Sequence, residues 1–272
     1  MPELPEIETV KNTLKQVVLN KTILSVDVRY DKILKNKTKT EFETLLINQT
    51  IEDIKRRGKY LIFVLTDYYL ISHLRMEGKF ILEKNNDYSK HEHVVFHFSD
   101  SNLRYHDTRK FGTMHLYTRD VDIINEIPLS NVGPEPYEVT SEYLQEKFKK
   151  SHRPLKSTLL DQKIISGLGN IYVDEVLFMS KLNPLRDTSS LTLDDINNII
   201  TNSIIVLNKA IALGGTTIRS FSSGNHISGK FQNELLIHTK KICPTCNTEI
   251  KKSKKLFLVI NIALSVSIPV LT

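Results

Sequence analysis

The sequence predicts an α+β fold in which a β domain, either a sandwich or a barrel, is followed by a helical domain. From Thr22 to about Tyr117 the chain consists of short β-rich runs such as YLIFVLTD and HVVFHF, separated by Gly, Asn, Asp and Lys clusters. Many short strands at this spacing are typical of a sandwich or barrel. Beyond residue 140 the apolar residues recur with helical periodicity. The segment NVGPEPYEVT (131–140) carries two prolines and a glycine, so we expect it to be the linker.

The first expected element is a helix over PEIETVKNTLKQVV (5–18), ahead of the β region. A proline at the start and carboxylates in the first turn favour a helix N-terminus. Ile7, Val10, Leu14 and Val17 then fall on one face. This spacing predicts an amphipathic helix with that face buried.

Four helices are expected after the linker, over SEYLQEKFKK, RPLKSTLLD, NIYVDEVLFMSKL and residues 193–213. The last of them has the clearest boundary signals. Thr192 and Asp195 have the spacing of a capping box. Gly214 stands where a helix commonly ends in a left-handed residue.

Composition limits the classes of partner. The 272 residues are 40% hydrophobic and carry a formal net charge of +6, which fits nucleic acid, an anionic membrane surface or an acidic protein. The start, MPELPEIETV, has neither a basic nor an apolar signal region, so no secretory signal is expected. Two cysteines provide no disulfide framework, which fits a reducing cytoplasm.

Pro2 is a candidate nucleophile. If Met1 is removed, the secondary amine of proline becomes the chain terminus, and an α-amino group titrates near pH ~7.7–8.0. Part of it would be an unprotonated nucleophile at neutral pH, with Glu3 and Glu6 nearby as acid/base groups. The open alternative is that PELPE is only a well-formed helix N-terminus.

Two predicted turns carry residues suited to entering a base stack. Met76 lies in HLRMEGKF, and Arg109 and Phe111 lie in HDTRKFG. An exposed ring replaces lost stacking, and a guanidinium satisfies orphaned base edges. Met76 could instead be core filler. Lys59, in RRGKY, could be a catalyst or a solvated charge at a strand edge.

Phosphate contacts are expected from His91 and Asn170. His91 alternates with His93 in KHEHVVF with no third metal ligand evident, so a phosphate contact or a solvated polar face is favoured over a metal site. Asn170 follows two glycines in ISGLGNIYVDE and is expected to cap the next helix, whose N-terminus would bind phosphate. A plain helix-turn-helix is the alternative. The preceding KKSHRPLK is expected to add Lys156 to the same basic surface.

These motifs together resemble the formamidopyrimidine-DNA glycosylase family, also called 8-oxoguanine DNA glycosylase. The resemblance rests on MPELPEIETV, RRGKYL, SHLRMEGKF, KHEHVVF, LRYHDTRKFGTM, LGNIYVDE, GGTTIRSF and GKFQNEL, in that order over about residues 1–250. It implies an N-terminal β-sandwich with a catalytic helix, a helix–two-turn–helix domain and a zinc finger. The expected domains are 1–130, a linker at 131–140, then 141–235 and an incomplete zinc-finger region at 236–272.

The resemblance also implies residue roles. Pro2 resembles the Schiff-base nucleophile, Glu3 the general acid/base and Glu6 a supporting carboxylate. Lys59 resembles the lysine that contacts a phosphate and donates a proton in β-elimination. A further group resembles the DNA-binding residues: Met76, Arg109 and Phe111 as inserted residues, and His91, Arg109 and Asn170 as phosphate contacts. The segment TTIRSF (216–221) resembles the start of the loop over the flipped base.

The C-terminus departs from the family pattern. CPTC (243–246) contains the only cysteines, Cys243 and Cys246, and supplies half of a four-thiolate zinc site. The match stops near Lys254, and the apolar run that follows lacks the second knuckle and the hairpin arginine that the family assigns to δ-elimination. Zinc, the family's structural metal, is therefore doubtful here, and the chemistry itself needs no cofactor.

The expected function is excision of oxidised purines from duplex DNA, with strand cleavage through a proline Schiff base. The expected partner is damaged double-stranded DNA, bound by a monomer in the bacterial cytoplasm. Two alternatives differ in class. A catalytically impaired DNA-binding protein would follow from the altered C-terminus. A membrane-tethered protein would follow from the apolar tail 256–272, which is at the short limit of a span and contains Asn261 and Pro269.

Overall fold

The computed structural model describes residues 1–85, 87–216, 221–222, 229–253 and 260–262. The chain divides into two compact units. The first contains Met1–Ser130 with Leu213–Lys230, and the second contains Asn131–Ala212 with Phe231–Thr272. The boundary at residue 130 coincides with the start of the expected linker. Leu213–Lys230 groups with the first unit, although the sequence reading assigned these residues to the helical domain.

The first unit is built mainly from β-strands. Its helices and strands in the described residues are α1 (Leu4–Val18), β1 (Ser25–Val28), α2 (Lys39–Leu45), β2 (Ile51–Arg57), β3 (Tyr60–Leu65), β4 (Tyr68–His73), β5 (Lys79–Glu83), β6 (Glu92–His97), β7 (Asn102–His106), β8 (Thr113–Thr118) and β9 (Phe221–Ser222).

These strands form two sheets, in agreement with the expected sandwich. One has the order β2-β3-β4-β8 and is antiparallel throughout, and the other has the order β1-β6-β7-β5-β9. In the second sheet β9 pairs parallel to β5, with Phe221 opposite Phe80. The aromatic rings of Phe63 on β3 and Phe80 on β5 meet at 5.5 Å between centroids, so side chains from both sheets share one core.

Helix α1 packs its apolar face into this core. Ile7, Val10 and Leu14 are at most 1% exposed, and Val17 is partly buried against the same cluster. The predicted helical spacing is therefore confirmed. Burying such a side chain stabilises the fold by about 1.5–3 kcal/mol, which fixes the position of the helix N-terminus on the sandwich.

The second unit is helical. It contains α3 (Ser141–Lys149), α4 (Leu155–Leu159), α5 (Asn170–Met179) and α6 (Leu193–Ala212). The capping box before α6 is present, because Thr192 N donates to Asp195 Oδ2 at 3.0 Å and Asp195 N to Thr192 Oγ1 at 3.2 Å. Gly214, two residues past the helix, has the expected positive φ of 74°.

A carboxylate on α5 holds the segment that leads toward the cysteines. Glu175 is 2% exposed. Its carboxylate accepts backbone N–H bonds from Leu236 at 2.7 Å, Ile237 at 3.1 Å and His238 at 2.8 Å. Hydrogen bonds to a charged acceptor are among the strong ones, so the Glu175 side chain fixes this segment to α5.

The C-terminal region ends in a short antiparallel pair. Strand β10 (Lys251–Ser253) pairs with β11 (Ile260–Ile262), and Lys251 lies opposite Ile262. Residues 254–259 and 263–272 of the apolar run lie outside the described residues. Among the helices that the structure describes, none combines the length and apolar composition needed to cross a membrane.

Candidate functional site

The N-terminus of α1 gathers three buried charged side chains. Glu3, Glu6 and Lys59 are 3%, 4% and 4% exposed. The backbone N–H of Glu3 donates to Glu6 Oε2 at 2.9 Å, and the Glu3 side chain accepts the backbone N–H of Glu6 in return, so both carboxyl groups lie at the start of α1. The alternative reading of Lys59 as a solvated strand-edge charge is wrong.

The turn between β2 and β3 presents Lys59 to the carboxylates. Gly58 has a positive φ of 54°, a conformation that glycine adopts without steric cost. Arg56 braces this turn, because its Nη1 donates to Gly58 O at 3.0 Å while its Nε donates to Glu8 Oε2 on α1 at 2.8 Å. The turn that precedes Lys59 is thus tied to α1, which begins two residues after Pro2.

Burial and charge act in opposite directions on Lys59. Burial lowers the pKa of its ammonium group, and the negative charges of Glu3 and Glu6 oppose that shift. The net direction is downward. A lysine with a lowered pKa releases its proton more readily than a solvated one, which suits proton transfer.

A glycine-rich segment closes on Glu6. Thr216 donates twice to Glu6 Oε1, from its N–H at 2.8 Å and from its hydroxyl at 3.0 Å. Gly215 has a φ of 72°, and a Cβ built there would lie 2.5 Å from Glu6 Oε1. The sequence motif predicts Thr216 only as the start of a loop, and nothing in it singled out Gly215. The paired glycines of GGTT (214–217) were the available signal. Residues 217–220 of that loop lie outside the described part of the chain.

His73 is a further residue of this region that sequence reasoning missed. It is 6% exposed, and its Nδ1 accepts the backbone N–H of Arg75 at 2.9 Å. Burial, with the charges of Arg75 and Lys59, lowers its pKa to about 3. The imidazole is therefore neutral at pH 7, and its ring packs edge-on against Tyr60 at 4.4 Å.

The two turns expected to enter DNA are exposed. Met76 and Phe111 are 43% and 52% exposed, so the core-filler reading of Met76 is wrong. The Arg109 guanidinium lies 4.7 Å from the centre of the Phe111 ring. Large apolar side chains held in solvent are typical of a binding surface.

The two alternating histidines have different environments. His93 is 3% exposed, and its Nε2 lies 2.7 Å from Asp107 O, so it is a structural residue. His91 is only partly buried and packs edge-on against His106 at 5.5 Å. A phosphate contact by His91 remains a prediction.

Asn170 and Lys156, in the second unit, differ from expectation. Gly169 occupies the N-cap position and Asn170 is the first helical residue, so the predicted capping role of Asn170 is wrong. Lys156 is 0% exposed. Its Nζ donates to Asp174 Oδ1 at 2.6 Å, and Asp174 Oδ2 lies 2.7 Å from His238 Nδ1. The expected membership of Lys156 in a basic surface is therefore wrong, because its charge is buried in an ion pair. The spacing in KKSHRPLK gave no sign of this pairing.

Comparison with known proteins identifies the family. The sequence model described as the formamidopyrimidine-DNA glycosylase N-terminal domain matches residues 1–114, and the one described as the formamidopyrimidine-DNA glycosylase H2TH domain matches residues 132–222. The formamidopyrimidine-DNA glycosylase of Bacillus cereus (strain ATCC 10987 / NRS 248) is 46% identical over 260 residues, covering 93% of this chain and 94% of the relative. That of Shouchella clausii is 47% identical with the same coverage.

The chain belongs to the formamidopyrimidine-DNA glycosylase family.

Solved structures similar to this member of the formamidopyrimidine-DNA glycosylase family contain DNA. A complex of wild-type Lactococcus lactis Fpg with a N7-Benzyl-Fapy-dG containing DNA matches with a TM-score of 0.90 and 38% identity, covering 97% of this chain and 99% of that chain. A complex of Lactococcus lactis Fpg with an abasic site containing DNA matches with the same TM-score, identity and coverage. These matches confirm the α+β fold.

The cysteine pair does not fit the zinc finger that resemblance to the formamidopyrimidine-DNA glycosylase family implies. Cys243 is fully buried with Ile237 and Ile250, and Cys246 Sγ lies 2.9 Å from Thr248 Oγ1. Within the described residues no group of three or more His, Cys, Asp or Glu side chains could hold a metal. The whole sequence has only these two cysteines, whereas a structural zinc site needs four ligands.

Proposed function

We propose that this protein excises oxidised purines, 8-oxoguanine and formamidopyrimidines, from duplex DNA and then cleaves the strand as an abasic-site lyase. The observation that carries the proposal is the buried cluster of Glu3, Glu6 and Lys59 beside Pro2. Burying three charged groups costs free energy unless their opposite charges and hydrogen bonds compensate for the lost solvation. A buried lysine with a lowered pKa, such as Lys59, is typical of active sites.

Pro2 is the proposed nucleophile, after removal of Met1. Its amine attacks C1′ of the flipped nucleotide, so that a C–N bond forms as the glycosidic bond breaks and the base departs with a proton. Cleavage of the C1′–O4′ bond, with a proton delivered to O4′, then opens the sugar ring and leaves an iminium between C1′ and the Pro2 nitrogen, which is an electron sink. It acidifies the 2′ proton, and loss of that proton expels the 3′ phosphate. A second elimination expels the 5′ phosphate, and water then releases the sugar fragment from Pro2.

Glu3 and Lys59 are the proposed proton carriers. Both belong to the buried charged cluster, and the lowered pKa of Lys59 favours its giving up a proton during elimination. Glu6 is proposed to be a positioning residue, because its Oε2 accepts a hydrogen bond from Glu3 N–H and its Oε1 accepts two from Thr216. No cofactor is required for these steps.

DNA entry is proposed to use Met76, Arg109 and Phe111. A base inside a duplex cannot reach Pro2, and extruding it costs a few kcal/mol. The exposed Phe111 ring and Met76 side chain would compensate for the lost stacking, and Arg109 would occupy the vacated space. Support comes from the exposure of both apolar side chains on neighbouring turns.

The altered C-terminus is proposed to weaken the enzyme rather than to change its chemistry. Cys243 and Cys246 alone leave a tetrahedral zinc site half complete. The family's hairpin arginine is absent from the sequence after residue 246. We therefore expect lower lesion affinity and less δ-elimination than in relatives with a complete finger.

Borohydride trapping on a duplex with 8-oxoguanine opposite cytosine tests the proposal. Borohydride reduces the iminium to a stable covalent adduct. We expect an adduct with the wild type and none with Pro2→Gly or with protein that retains Met1, while both variants still bind duplex. Efficient excision by protein whose mass includes Met1 would overturn the mechanism. DNA binding without any adduct would favour the alternative of a non-catalytic lesion-binding protein.

A further inference from the structure

The turns that carry Met76 and Phe111 converge on one buried hydroxyl group. Tyr105, on β7, is 0% exposed. A Cβ built on Gly78, just after the Met76 turn, would lie 2.2 Å from the Tyr105 hydroxyl oxygen, and one built on Gly112, just after Phe111, would lie 1.7 Å from it. A residue with a Cβ at either position would clash with this oxygen, so the close approach of both turns requires glycine.

Asp107 holds the second turn from beneath. It is 0% exposed. Its Oδ1 accepts the backbone N–H of Arg109 at 3.0 Å, and its Oδ2 accepts those of Phe111 and Gly112, each at 2.9 Å. The Tyr105 hydroxyl reaches the same Oδ2 at the longer distance of 3.5 Å. One carboxylate thus ties the whole Phe111 turn to the tyrosine that supports the Met76 turn.

The carboxylate is itself fixed to the sheet. The Asp107 backbone N–H donates to His91 O at 3.0 Å, and Asp107 O lies 2.7 Å from His93 Nε2. The Tyr105 ring packs edge-on against Phe80 at 5.3 Å. Neither Asp107 nor Tyr105 can shift without disturbing the sheet that contains β5, β6 and β7, so both turns have a rigid support.

The Phe111 turn needs such support because it is strained. Lys110 adopts a φ of 59°, a left-handed conformation that is unfavourable for a residue with a Cβ. Strained residues persist only where their surroundings over-determine them. Three hydrogen bonds to a buried charged acceptor supply that constraint here.

We propose that Asp107 and Tyr105 are positioning residues that hold the two turns in one fixed relation, so that Met76 and Phe111 enter the base stack together. The inference rests on the proposed function in that it assumes DNA entry by these side chains. The free protein would then already hold Met76 and Phe111 in the arrangement needed to enter DNA. Such preorganisation reduces the conformational entropy that is lost on binding.

The test compares Asp107→Asn with the wild type on two substrates. Both carry 8-oxoguanine, one in an intact duplex and the other opposite a one-nucleotide gap, where less stacking must be broken. The amide cannot accept all three N–H bonds in the same geometry. We expect excision in duplex to slow by about tenfold or more and the loss on the gapped substrate to stay within about twofold.

Asp122→Asn is the matched control. Asp122 also organises a turn in the first unit, because its Oδ1 accepts Ile124 N–H at 3.2 Å and its Oδ2 accepts from Asn125 Nδ2 at 2.8 Å. It lies past β8 and is exposed. We expect this control to excise from both substrates at the wild-type rate.

Two further variants protect the test against misfolding. Tyr105→Phe keeps the ring packing and removes only the hydroxyl, and we expect the same preference for the gapped substrate. In a Phe111→Ala background, Asp107→Asn should slow excision in duplex by at most about a third of the factor seen in the wild type. The reason is that effects of residues acting through one another are not additive. A purely structural defect would lower excision equally on both substrates and in both backgrounds, and would overturn the proposal.

A fluorescent probe separates this inference from the proposed chemistry. 2-Aminopurine beside the lesion reports unstacking on binding and needs no turnover. An unstacking signal in Asp107→Asn and Tyr105→Phe equal to that of the wild type would overturn the positioning role. Absence of a borohydride adduct in the wild type would instead overturn the Schiff-base proposal and leave the unstacking comparison valid.

Discussion

Replacing Gly215 by alanine should separate a local clash from ordinary backbone strain. At Gly215 the φ of 72° is unfavourable for any residue with a Cβ, and the new Cβ would lie 2.5 Å from Glu6 Oε1. The adjacent Gly214 has nearly the same φ, 74°, but a Cβ there would meet only Gly229 Cα at 3.8 Å, an ordinary contact. Gly214→Ala is therefore a matched control that carries the strain without the clash.

The expected difference between the two variants can be worked out from the Glu6 contacts. Left-handed backbone costs roughly 1–2 kcal/mol in either variant. The Gly215→Ala clash must also move the Glu6 carboxylate or break its bonds to Thr216, which are 2.8 and 3.0 Å long. A hydrogen bond to a charged group is worth about 1.5–3 kcal/mol. One lost bond thus predicts a rate about 10–150-fold lower for Gly215→Ala than for Gly214→Ala.

Single-turnover excision of 8-oxoguanine is the appropriate assay, since it reports the chemical step without product release. Thermal unfolding of both variants checks that each remains folded. Equal rates for the two variants would show that the position of Glu6 does not depend on the segment at Gly215. The same would follow from a wild-type rate for Gly215→Ala. Either result would refute the reasoning.

Three other predictions follow from the described geometry. Phe111→Ala and Met76→Ala should each slow excision in duplex and have a much smaller effect opposite a gap; equal losses on both substrates would place their role elsewhere. Purified protein should contain far less than one tightly held zinc per chain by elemental analysis, because Cys243 and Cys246 supply only half the ligands; one retained zinc with ordinary lesion affinity would contradict this. The pKa of His73 is lowered to about 3 in the folded protein. As the pH falls, His73 therefore binds a proton in the unfolded chain at a higher pH than in the folded chain. Its contribution to stability is therefore complete above about pH 6.5 and lost as the pH falls toward 3, by about 1.4 kcal/mol per unit. His73→Asn, which keeps an acceptor for the Arg75 N–H, should flatten this acid dependence in urea titrations at several pH values, and an unchanged slope would count against it.

Local patterns in the sequence predicted much of the fold. The apolar spacing of α1 and the capping box at Thr192 and Asp195 each depend on residues within a few positions of one another, and the structure contains both. The exposed turn at Phe111 was predictable because its polar and glycine neighbours mark a loop. Local chemistry was sufficient for these elements.

Long-range pairing explains what the sequence did not reveal. Lys156 looked like one more cation in a basic run, yet it is paired with Asp174, 18 positions along the chain. The contact of Thr216 with Glu6 spans 210 positions. His73 was not predicted from the sequence, because its neutrality follows from burial near Arg75 and Lys59. Such partners are set by the tertiary fold, which periodicity and motif spacing do not encode.

The three N–H bonds that Glu175 accepts from residues 236–238 give the protein two separable levels of order. The backbone amides of residues 236–238 are anchored to α5 by the buried Glu175 carboxylate. Their hydrogen exchange therefore requires opening of the helical unit. Downstream of them, Cys243 and Ile250 pack with Ile237 in a small buried cluster. A truncation after residue 250 or a foreign C-terminal sequence would then change exchange only on the downstream side. Alterations at the C-terminus are thus confined by an anchor that contains no metal, and the helical unit tolerates a degree of sequence drift there that its own interior does not.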